Sequence, residues 1–169
     1  MPTSPPTRLA RASSWACPSD VAGGDAHGGG GDAATLHATC VSVSGNGMLI
    51  TGRSGAGKSA LALRMMALGA QLVADDRTRV TRHGDGLVAA APEAIRGRIE
   101  ARFVGILDVP CAGPAPVRLI VDLDHEETER LPPARRRTIM GCAVPVVHKS
   151  TTDHFPAALM LYLDAQGRE

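Results

Sequence analysis

The sequence predicts an α/β domain built around a phosphate-binding loop (P-loop), and three observations carry that prediction. Residues 52–59, Gly-Arg-Ser-Gly-Ala-Gly-Lys-Ser, match the phosphate-loop pattern G-x-x-x-x-G-K-[ST]. Apolar residues 48–50 before the loop are typical of a strand, and residues 59–68 after it are typical of a helix that ends at Gly69. Turn signals on both sides of this unit divide the other apolar segments into hairpins. The expected sheet is therefore mixed and contains antiparallel pairs.

The loop pattern predicts an anion site. Glycines let backbone N–H groups turn toward one anion, and the helix N-terminus adds a partial positive charge. We expect nucleotide phosphates to contact Gly52, Arg53, Ser54, Gly55, Ala56, Gly57, Lys58 and Ser59. Lys58 would reach the outer phosphates, and the Ser59 hydroxyl would bind Mg2+. The alternative, a glycine turn that precedes a helix by chance, is disfavoured by the flanking strand and helix.

Two hairpins distinguish this chain from ordinary phosphate-loop proteins. Residues 39–44 alternate apolar and polar side chains, which predicts a half-buried strand. Gly45-Asn46-Gly47 predicts a turn into a partner strand at residues 48–51. A second hairpin joins residues 79–81 and 86–90. Hairpins connect antiparallel strands, whereas parallel neighbours need a long crossover.

The remaining elements follow from shorter signals. Residues 71–74 and 117–123 are apolar enough for strands, and residues 92–95 begin a short turn or helix. Pro145 predicts an edge position for the strand at residues 144–147. Residues 124–130 are expected to be an acidic solvated loop. A closing helix is predicted at residues 156–163.

Composition excludes several classes of function. The 169 residues suggest one folded domain, and the net charge of +1 favours neither nucleic acid nor an anionic membrane. Aromatic residues make up only 2%, which argues against stacking platforms for single-stranded nucleic acid. No apolar run approaches the roughly 18 residues of a membrane span. The four cysteines form no zinc or C-x-x-C pattern, so we expect reduced thiols in a cytoplasmic protein.

Residues 1–34 differ from the rest of the chain. They contain four of the prolines and a run of four glycines at residues 28–31, and they lack the apolar centre of a secretory signal. Such a segment cannot bury enough apolar surface to offset its ordering entropy. We expect a disordered tail before a catalytic domain at residues 35–169, unless translation begins further in.

Asp75 and Asp76 are the first candidates for chemistry outside the loop. They end a buried strand after the phosphate-loop helix, where nucleotide enzymes place groups that face the phosphates. One carboxylate can hold magnesium while the other takes a proton from an attacking hydroxyl. Adjacent strand residues point in opposite directions, so the two need not share a role. A simple strand-end turn is the alternative interpretation.

Glu100, Arg102 and His37 are further candidates. Glu100 and Arg102 would share one face of a strand, where a carboxylate could bind a metal and a guanidinium could touch phosphate. A surface ion pair remains the alternative. His37 begins the strand that runs antiparallel to the one feeding the loop, so it should lie near the loop.

Five segments together resemble the catalytic domain of HPr kinase/phosphorylase. They are Leu36-His37 opening a strand, the hairpin into the 52–59 loop, the run 72–76, the stretch 91–97, and Ile99-Glu100-Ala101-Arg102 leading into residues 105–109. The phosphate loop alone is shared by many families, but the order and spacing of all five segments is specific. The resemblance covers about residues 36–163 and is closest to short forms of alphaproteobacterial type.

The resemblance implies a fold and an activity. The fold would be a P-loop α/β domain with a mixed, largely antiparallel central sheet, related to phosphoenolpyruvate carboxykinase. The activity would be ATP-dependent phosphorylation of a serine on an HPr-type phosphocarrier protein, with phosphorolytic reversal. It also implies a homo-oligomer, a hexamer in the family. No nucleic acid or membrane partner is expected.

The resemblance also implies roles for individual residues. Asp76 would be the base for phosphorylation and the acid for the reverse reaction, and His37 would assist near the attacking serine. Lys58 would hold the β- and γ-phosphates, and Ser59 and Glu100 would bind magnesium, with Asp75 as a further metal candidate. Arg130 matches the family's Arg-Leu pair, which makes it a catalytic candidate.

Two segments depart from the family pattern. Phe103-Val104 stands where Gly-Leu is usual, and residues 145–149 replace a Pro-Gly-Arg run tied to dephosphorylation. Reverse activity is therefore expected to be weak, unless Arg135 to Arg137 substitute for that run. A kinase of another protein or small molecule, or a non-catalytic nucleotide-binding regulatory module, is the alternative function.

Overall fold

A mixed nine-stranded sheet carries two helices on one face in the computed structural model, which describes residues 32–166. The strands within that range are β1 Ala33–Leu36, β2 Ala38–Val43, β3 Asn46–Thr51, β4 Gln71–Ala74, β5 Thr78–His83, β6 Gly86–Ala90, β7 Arg98–Ala101, β8 Gly105–Asp108, β9 Ala115–Glu126, β10 Arg135–Ile139 and β11 Cys142–Lys149. The helices are α1 Lys58–Ala67 and α2 Phe155–Ala165, and a single 3-10 turn spans Glu93–Ile95.

The strand order is β1-β5-β6-β9-β3-β2-β4, with β10-β11 joined to β9. β3 is parallel to β9, and β9 is parallel to β11, while the other pairs of this sheet are antiparallel. β7 and β8 form a separate antiparallel hairpin. The expectation of a mixed, largely antiparallel central sheet is confirmed.

The central strands β2 and β3 are buried because apolar clusters lie on both of their faces. Met48 and Ile50 of β3 pack toward α1 and α2, whereas Leu49 between them packs toward Val80 and Leu87 of β5 and β6. Burying each such side chain fully contributes roughly 1.5–3 kcal/mol. β2 is buried along its whole length, so the prediction of a half-buried strand at residues 39–44 is wrong. The alternation of apolar and polar residues in this strand could not reveal that β5 and β6 cover its second face.

The turn of the first hairpin begins one residue earlier, and its second strand two residues earlier, than the sequence signal suggests. Val43 pairs with Asn46, so the turn consists of Ser44 and Gly45, with φ of 50° and 81°. Positive φ at both central residues matches the right-handed twist of the flanking strands. Asn46 instead lies in β3 and donates from its side chain to the Leu163 carbonyl at 3.1 Å, which ties the hairpin to α2.

Four strands differ from the sequence-based expectation. β11 is not an edge strand, because it pairs with β10 through Cys142 to Val146 and with β9 from Val146 onward. Pro145 lies just before the β9 ladder, where its missing N–H interrupts no bond to β9. β9 continues to Glu126, through part of the segment expected to be an acidic loop. β1 and β10 were not predicted.

Two further predictions concern the N-terminal segment and the cysteines. Residues 1–31 lie outside the described residues, and Ala33 and Ala34 of the expected 1–34 tail belong to β1. Cys40 and Cys142 are buried free thiols, which confirms the prediction of reduced cysteines for those two. Cys111 is disulfide-bonded, so that prediction is wrong at this position. Within residues 32–166, neither helix has the length and apolarity to cross a membrane.

Candidate active site

The 52–59 loop joins the end of β3 to the start of α1, as its pattern predicts. Gly52 has φ of 148°, and a Cβ there would lie 3.0 Å from the Ala56 Cβ and 3.1 Å from the Leu123 Cβ. Only glycine fits at this position, where the chain turns sharply from β3 into the loop. A Cβ at Gly55 or Gly57 would meet nothing within 4 Å, so the outer face of the loop is open.

The start of α1 favours an anion. Gly57 is its N-cap, and the first turn holds no acidic side chain. The free N–H groups and partial positive charge of the helix end are therefore not neutralised from within. On the sheet side, both carboxylate oxygens of Asp124 accept from the Arg53 N–H, at 2.9 and 3.2 Å. Asp124 thus anchors the first turn of the loop to the end of β9.

Lys58 is buried and fully hydrogen-bonded. Its ammonium lies 2.9 Å from His37 Nε2, 2.9 Å from the Gly52 carbonyl and 3.2 Å from the Arg53 carbonyl. These contacts match the three N–H donors of an ammonium. In this structure the lysine lies against its own loop rather than extending over it.

His37 connects Lys58 to Asp76. Its Nδ1 lies 3.0 Å from Asp76 Oδ1, while Nε2 faces Lys58. Since an ammonium can only donate, Nε2 is the acceptor, and a neutral ring then carries its proton on Nδ1 and donates to Asp76. The His37 and Asp76 side chains are 51% and 67% exposed, so this end of the chain of contacts is open to solvent.

Asp76 sits in strained backbone. Its φ is 61°, and the Arg77 N–H donates across it to the Asp75 carbonyl at 2.7 Å in a three-residue turn. Residues other than glycine rarely take positive φ, although aspartate tolerates it better than most. Both aspartates follow the end of β4, so the alternation of strand side chains does not apply to them. The turn nevertheless gives them different partners, since Asp75 contacts Thr39, Ser59 and Glu100 and Asp76 contacts His37.

Asp75 is the buried partner of the pair. Its Oδ1 accepts from Thr39 Oγ1 at 2.8 Å and Ser59 Oγ at 2.9 Å, and its Oδ2 accepts from the Glu100 N–H at 3.0 Å. One carboxylate therefore joins β2, α1 and the β7–β8 hairpin. These bonds place the Ser59 hydroxyl and the Glu100 backbone on either side of Asp75.

A cavity of about 400 Å³ opens over this arrangement, a size typical of small-molecule sites. His37, Lys58 and Asp76 line it from one side and Glu100 and Arg102 from the other. β7 ends at Ala101, so Arg102 lies in the hairpin turn and does not share a strand face with Glu100. The prediction of a common strand face is wrong, but both residues line the same cavity.

A second carboxylate braces the strand that feeds the loop. Asp122 of β9 is buried and pairs with Arg137 of β10, which also donates to Thr51 Oγ1 at 3.2 Å. His125 Nδ1 lies 3.1 Å from the same carboxylate. Burial alone raises the pKa of Asp122, but hydrogen bonds from the Asp124 N–H, His125 and Arg137 outweigh it and hold the pKa below its usual range.

The structure brings together most, but not all, of the predicted site residues. Ser54, Gly55, Gly57, Lys58 and Ser59 line the cavity with the groups above. Arg130 is exposed in the segment between β9 and β10 and is not among the cavity-lining residues. Arg135 pairs with Glu127 and Arg137 with Asp122, so neither is a bare surface cation.

Thr39 and Asp124 were missed as functional candidates. A signal for Asp124 exists, because it follows an apolar run that ends beside the loop strand. Thr39 gives no sequence signal of its own, since its contact with Asp75 depends on the pairing of β2 with β4.

No three His, Cys, Asp or Glu side chains form a metal-binding group among residues 32–166. This is compatible with magnesium chemistry, since Mg2+ usually takes one or two carboxylates and completes its shell with water and substrate phosphates. The oxygen donors Ser59 and Glu100 line the cavity, whereas Asp75 is buried and accepts hydrogen bonds from the Ser59 hydroxyl and the Glu100 N–H. The role of all three as ligands stays a prediction.

Comparison with known proteins decides the family. Residues 31–147 match the model of the HPr Serine kinase C-terminal domain. The chain belongs to this family. The chain is 44% identical over 92 residues to HPr kinase/phosphorylase of Alkaliphilus metalliredigens, and the match covers 53% of this chain and 30% of that protein. HPr kinase/phosphorylase of Caldanaerobacter subterraneus is 49% identical over 76 residues, 44% of this chain and 25% of the relative.

The fold comparison extends further along the chain. The structure of the Hpr(Ser) kinase/phosphatase from Coxiella burnetii matches with a TM-score of 0.65 and 25% identity, covering 80% of this chain and 90% of that one. By contrast, the aligned segments span less than a third of the length of the curated relatives. The family is thereby established for this domain.

Proposed function

We propose that this chain is an ATP-dependent serine protein kinase that phosphorylates an HPr-type phosphocarrier protein. The observation that carries the proposal is the contact chain from Lys58 through His37 to Asp76 at the mouth of a glycine-loop cavity. It joins a cation suited to phosphates with a solvent-accessible carboxylate suited to a hydroxyl. Family membership supports the same activity.

The reaction assigns one task to each group. Asp76 takes the proton of the serine hydroxyl as its oxygen bonds to the γ-phosphorus, and the bond to the β-phosphate oxygen breaks to release ADP. His37 holds the Asp76 carboxylate through its Nδ1–H. Lys58 and the loop N–H groups stabilise the charge on the phosphates.

The loop and its acidic neighbours fit a magnesium nucleotide. The open faces of Gly55 and Gly57 leave room for phosphate oxygens close to the backbone, and the first turn of α1 holds no competing acid. Ser59, Glu100 and Asp75 would hold Mg2+, which neutralises phosphate charge when bound. Asp75 already orients the Ser59 hydroxyl.

We further propose that the kinase direction dominates over the reverse reaction. Phosphorolysis of the serine phosphate is expected to be slower than the kinase reaction, because Lys149 offers one point charge where an arginine would bind phosphate with two bonds. The kinship with phosphoenolpyruvate carboxykinase, a cytoplasmic location and a hexamer remain proposals from the same resemblance.

The decisive test is phosphotransfer from γ-labelled ATP with Mg2+ to a purified HPr-type carrier, run on wild type and Asp76→Asn. We expect labelled serine on the carrier with wild type, and a rate about 10²–10⁴-fold lower with the variant, since that is what a general base contributes. The variant should bind ATP as wild type does. Adding phosphate to the serine-phosphorylated carrier and measuring pyrophosphate tests the reverse direction.

Lys58→Ala is the matched control for nucleotide binding and should lose ATP affinity as well as transfer. If wild type hydrolyses ATP but labels no carrier, the substrate assignment is wrong. If Asp76→Asn transfers normally but binds Mg-ATP weakly, Asp76 is a metal ligand and Asp75 becomes the candidate base.

A further inference from the structure

A second cavity, of about 320 Å³, lies on the opposite side of the α1 N-terminus from the catalytic cavity. The two cavities share Gly57 and Ala60 as lining residues. The second is lined at its base by Leu61, Leu123 and Pro156, which are buried, and by the half-buried ring of Phe155. Its rim carries polar side chains: Arg64, Lys149, Ser150, Thr151 and Thr152.

The topology of the sheet gives the two cavities different roles. His37 and Asp76 adjoin β2 and β4, on one side of β3, whereas Leu123 and Lys149 belong to β9 and β11 on the other. A polyphosphate on the loop between them, with its terminal phosphate toward Asp76, directs its other end toward the second cavity. Ligands of α/β sheets bind at such carboxyl ends of parallel strands.

We propose that this second cavity binds the nucleoside part of the nucleotide, the ribose and a planar base. The inference rests on the proposed use of a nucleotide, and it adds a subsite to it. The apolar base of the cavity and the Phe155 ring suit a flat aromatic ligand, while the hydroxyl groups of the rim suit a ribose. Lys149 and Arg64 add positive charge to the rim.

The rim is ordered by its own hydrogen bonds. Ser150 Oγ lies 2.9 Å from Thr152 Oγ1 and accepts from the Thr152 N–H at 3.3 Å, and the Phe155 N–H donates to the Thr152 carbonyl at 3.1 Å. These bonds hold the segment between β11 and α2 in one shape. A preformed rim reduces the ordering cost of binding.

The first test compares ATP with inorganic tripolyphosphate, which lacks the nucleoside. Calorimetric titration of the full chain with each magnesium complex should give at least tenfold tighter binding for ATP. Ser150→Leu adds bulk to the half-buried cavity wall and should weaken ATP at least tenfold while changing tripolyphosphate less than twofold. Thr128→Leu, exposed and outside the lining residues, should change neither affinity.

The second test locates the base on the wild-type chain and does not depend on the variant folding. Photolabelling with 8-azido-ATP, protected by ATP, should mark peptides within residues 149–156. Labelling centred on residues 100–104, or equal affinity for ATP and tripolyphosphate, would overturn the subsite and leave phosphotransfer to the carrier unaffected. Absence of carrier labelling with intact ATP preference would contradict the proposed kinase instead.

Discussion

At the scale of single residues, two adjacent aspartates are separated by their surroundings. Asp75 accepts three hydrogen bonds from three different elements, whereas Asp76 is open to solvent and touches His37. Both residues lie in the turn between β4 and β5, where Asp76 takes a φ of 61°. The buried Asp75 carboxylate therefore joins three elements of the fold, whereas the exposed Asp76 carboxylate is accessible to a substrate hydroxyl.

Asp75→Asn should therefore reduce stability as well as activity. The amide offers one acceptor oxygen, and its NH2 group would face a donor, which leaves at least one buried donor unpaired at a cost of about 1–3 kcal/mol. We expect a lower melting temperature and loss of phosphotransfer. Asp76→Asn, the exposed control, should melt close to wild type. Equal melting temperatures for all three proteins would contradict the junction role.

Sequence reasoning located most of the site at this scale because its signals are local. The loop pattern, the aspartate pair and the hairpin that returns His37 to the loop are each contained in short segments. Thr39 and Asp122 acquire their roles from strand pairing over 36 and 15 residues, to Asp75 and Arg137 respectively. A single sequence carries no direct record of such contacts.

At the scale of elements, β9 connects the two parts of the sheet. Its first residues pair with β6, its central residues with β3, and its end with β11. Asp122 marks the point where β9, β10 and the end of β3 are joined through Arg137. The predicted strand at residues 117–123 was too short because the charged residues that follow resemble a loop.

Asp122 should give stability a measurable pH dependence. Its folded-state pKa lies below the ordinary value of about 3.9, so its contribution is present above that value and is lost as pH falls through the folded pKa. Asp122→Asn should melt below wild type at pH 7, and the gap should narrow as the pH falls below about 4.

The measurement is thermal unfolding of both proteins between pH 7 and 3, with Asp85→Asn, in the exposed β5–β6 turn, as control. His125 faces the same carboxylate, so its protonation is coupled to the Asp122 charge. The comparison of Asp122 with asparagine is therefore repeated in a His125→Gln background, which removes that contribution. A gap that stays constant with pH would mean that Asp122 acts through packing alone.

At the scale of the whole molecule, the central strands are covered by helices on one face and by the curled β5–β6 region on the other. Sequence patterns predicted most of the elements but not this second layer. A fully buried strand that contains a few small polar residues has the same alternating pattern as a half-buried strand. Thr39 and Ser42 of β2 therefore look like surface residues in the sequence, although both are buried. The tertiary arrangement decides the difference.

Cys40 offers a probe of that double coverage. It is completely buried, and burial raises the pKa of its thiol to about 12. The reactive thiolate is therefore scarce in the folded protein. We expect iodoacetamide at pH 8 to leave Cys40 unmodified under native conditions and to modify it readily in guanidinium chloride, as followed by tandem mass spectrometry.

Leu49→Ala provides the matched comparison, since truncating a buried leucine typically costs 2–5 kcal/mol. This variant should accelerate modification of Cys40 in proportion to its greater unfolded population. Rapid modification of Cys40 in the native wild type would show that the β5–β6 layer opens without global unfolding.

The hydrogen bonds of Lys58 in this structure also affect which anions can bind to the loop. Its ammonium is satisfied by His37 and two loop carbonyls, so an incoming anion must replace contacts that already exist. A small anion such as sulfate or free phosphate gains little from this exchange. A ligand that also engages the rest of the loop recovers the loss through many simultaneous contacts. We therefore expect Lys58 to favour ligands that contact the whole loop over small free anions.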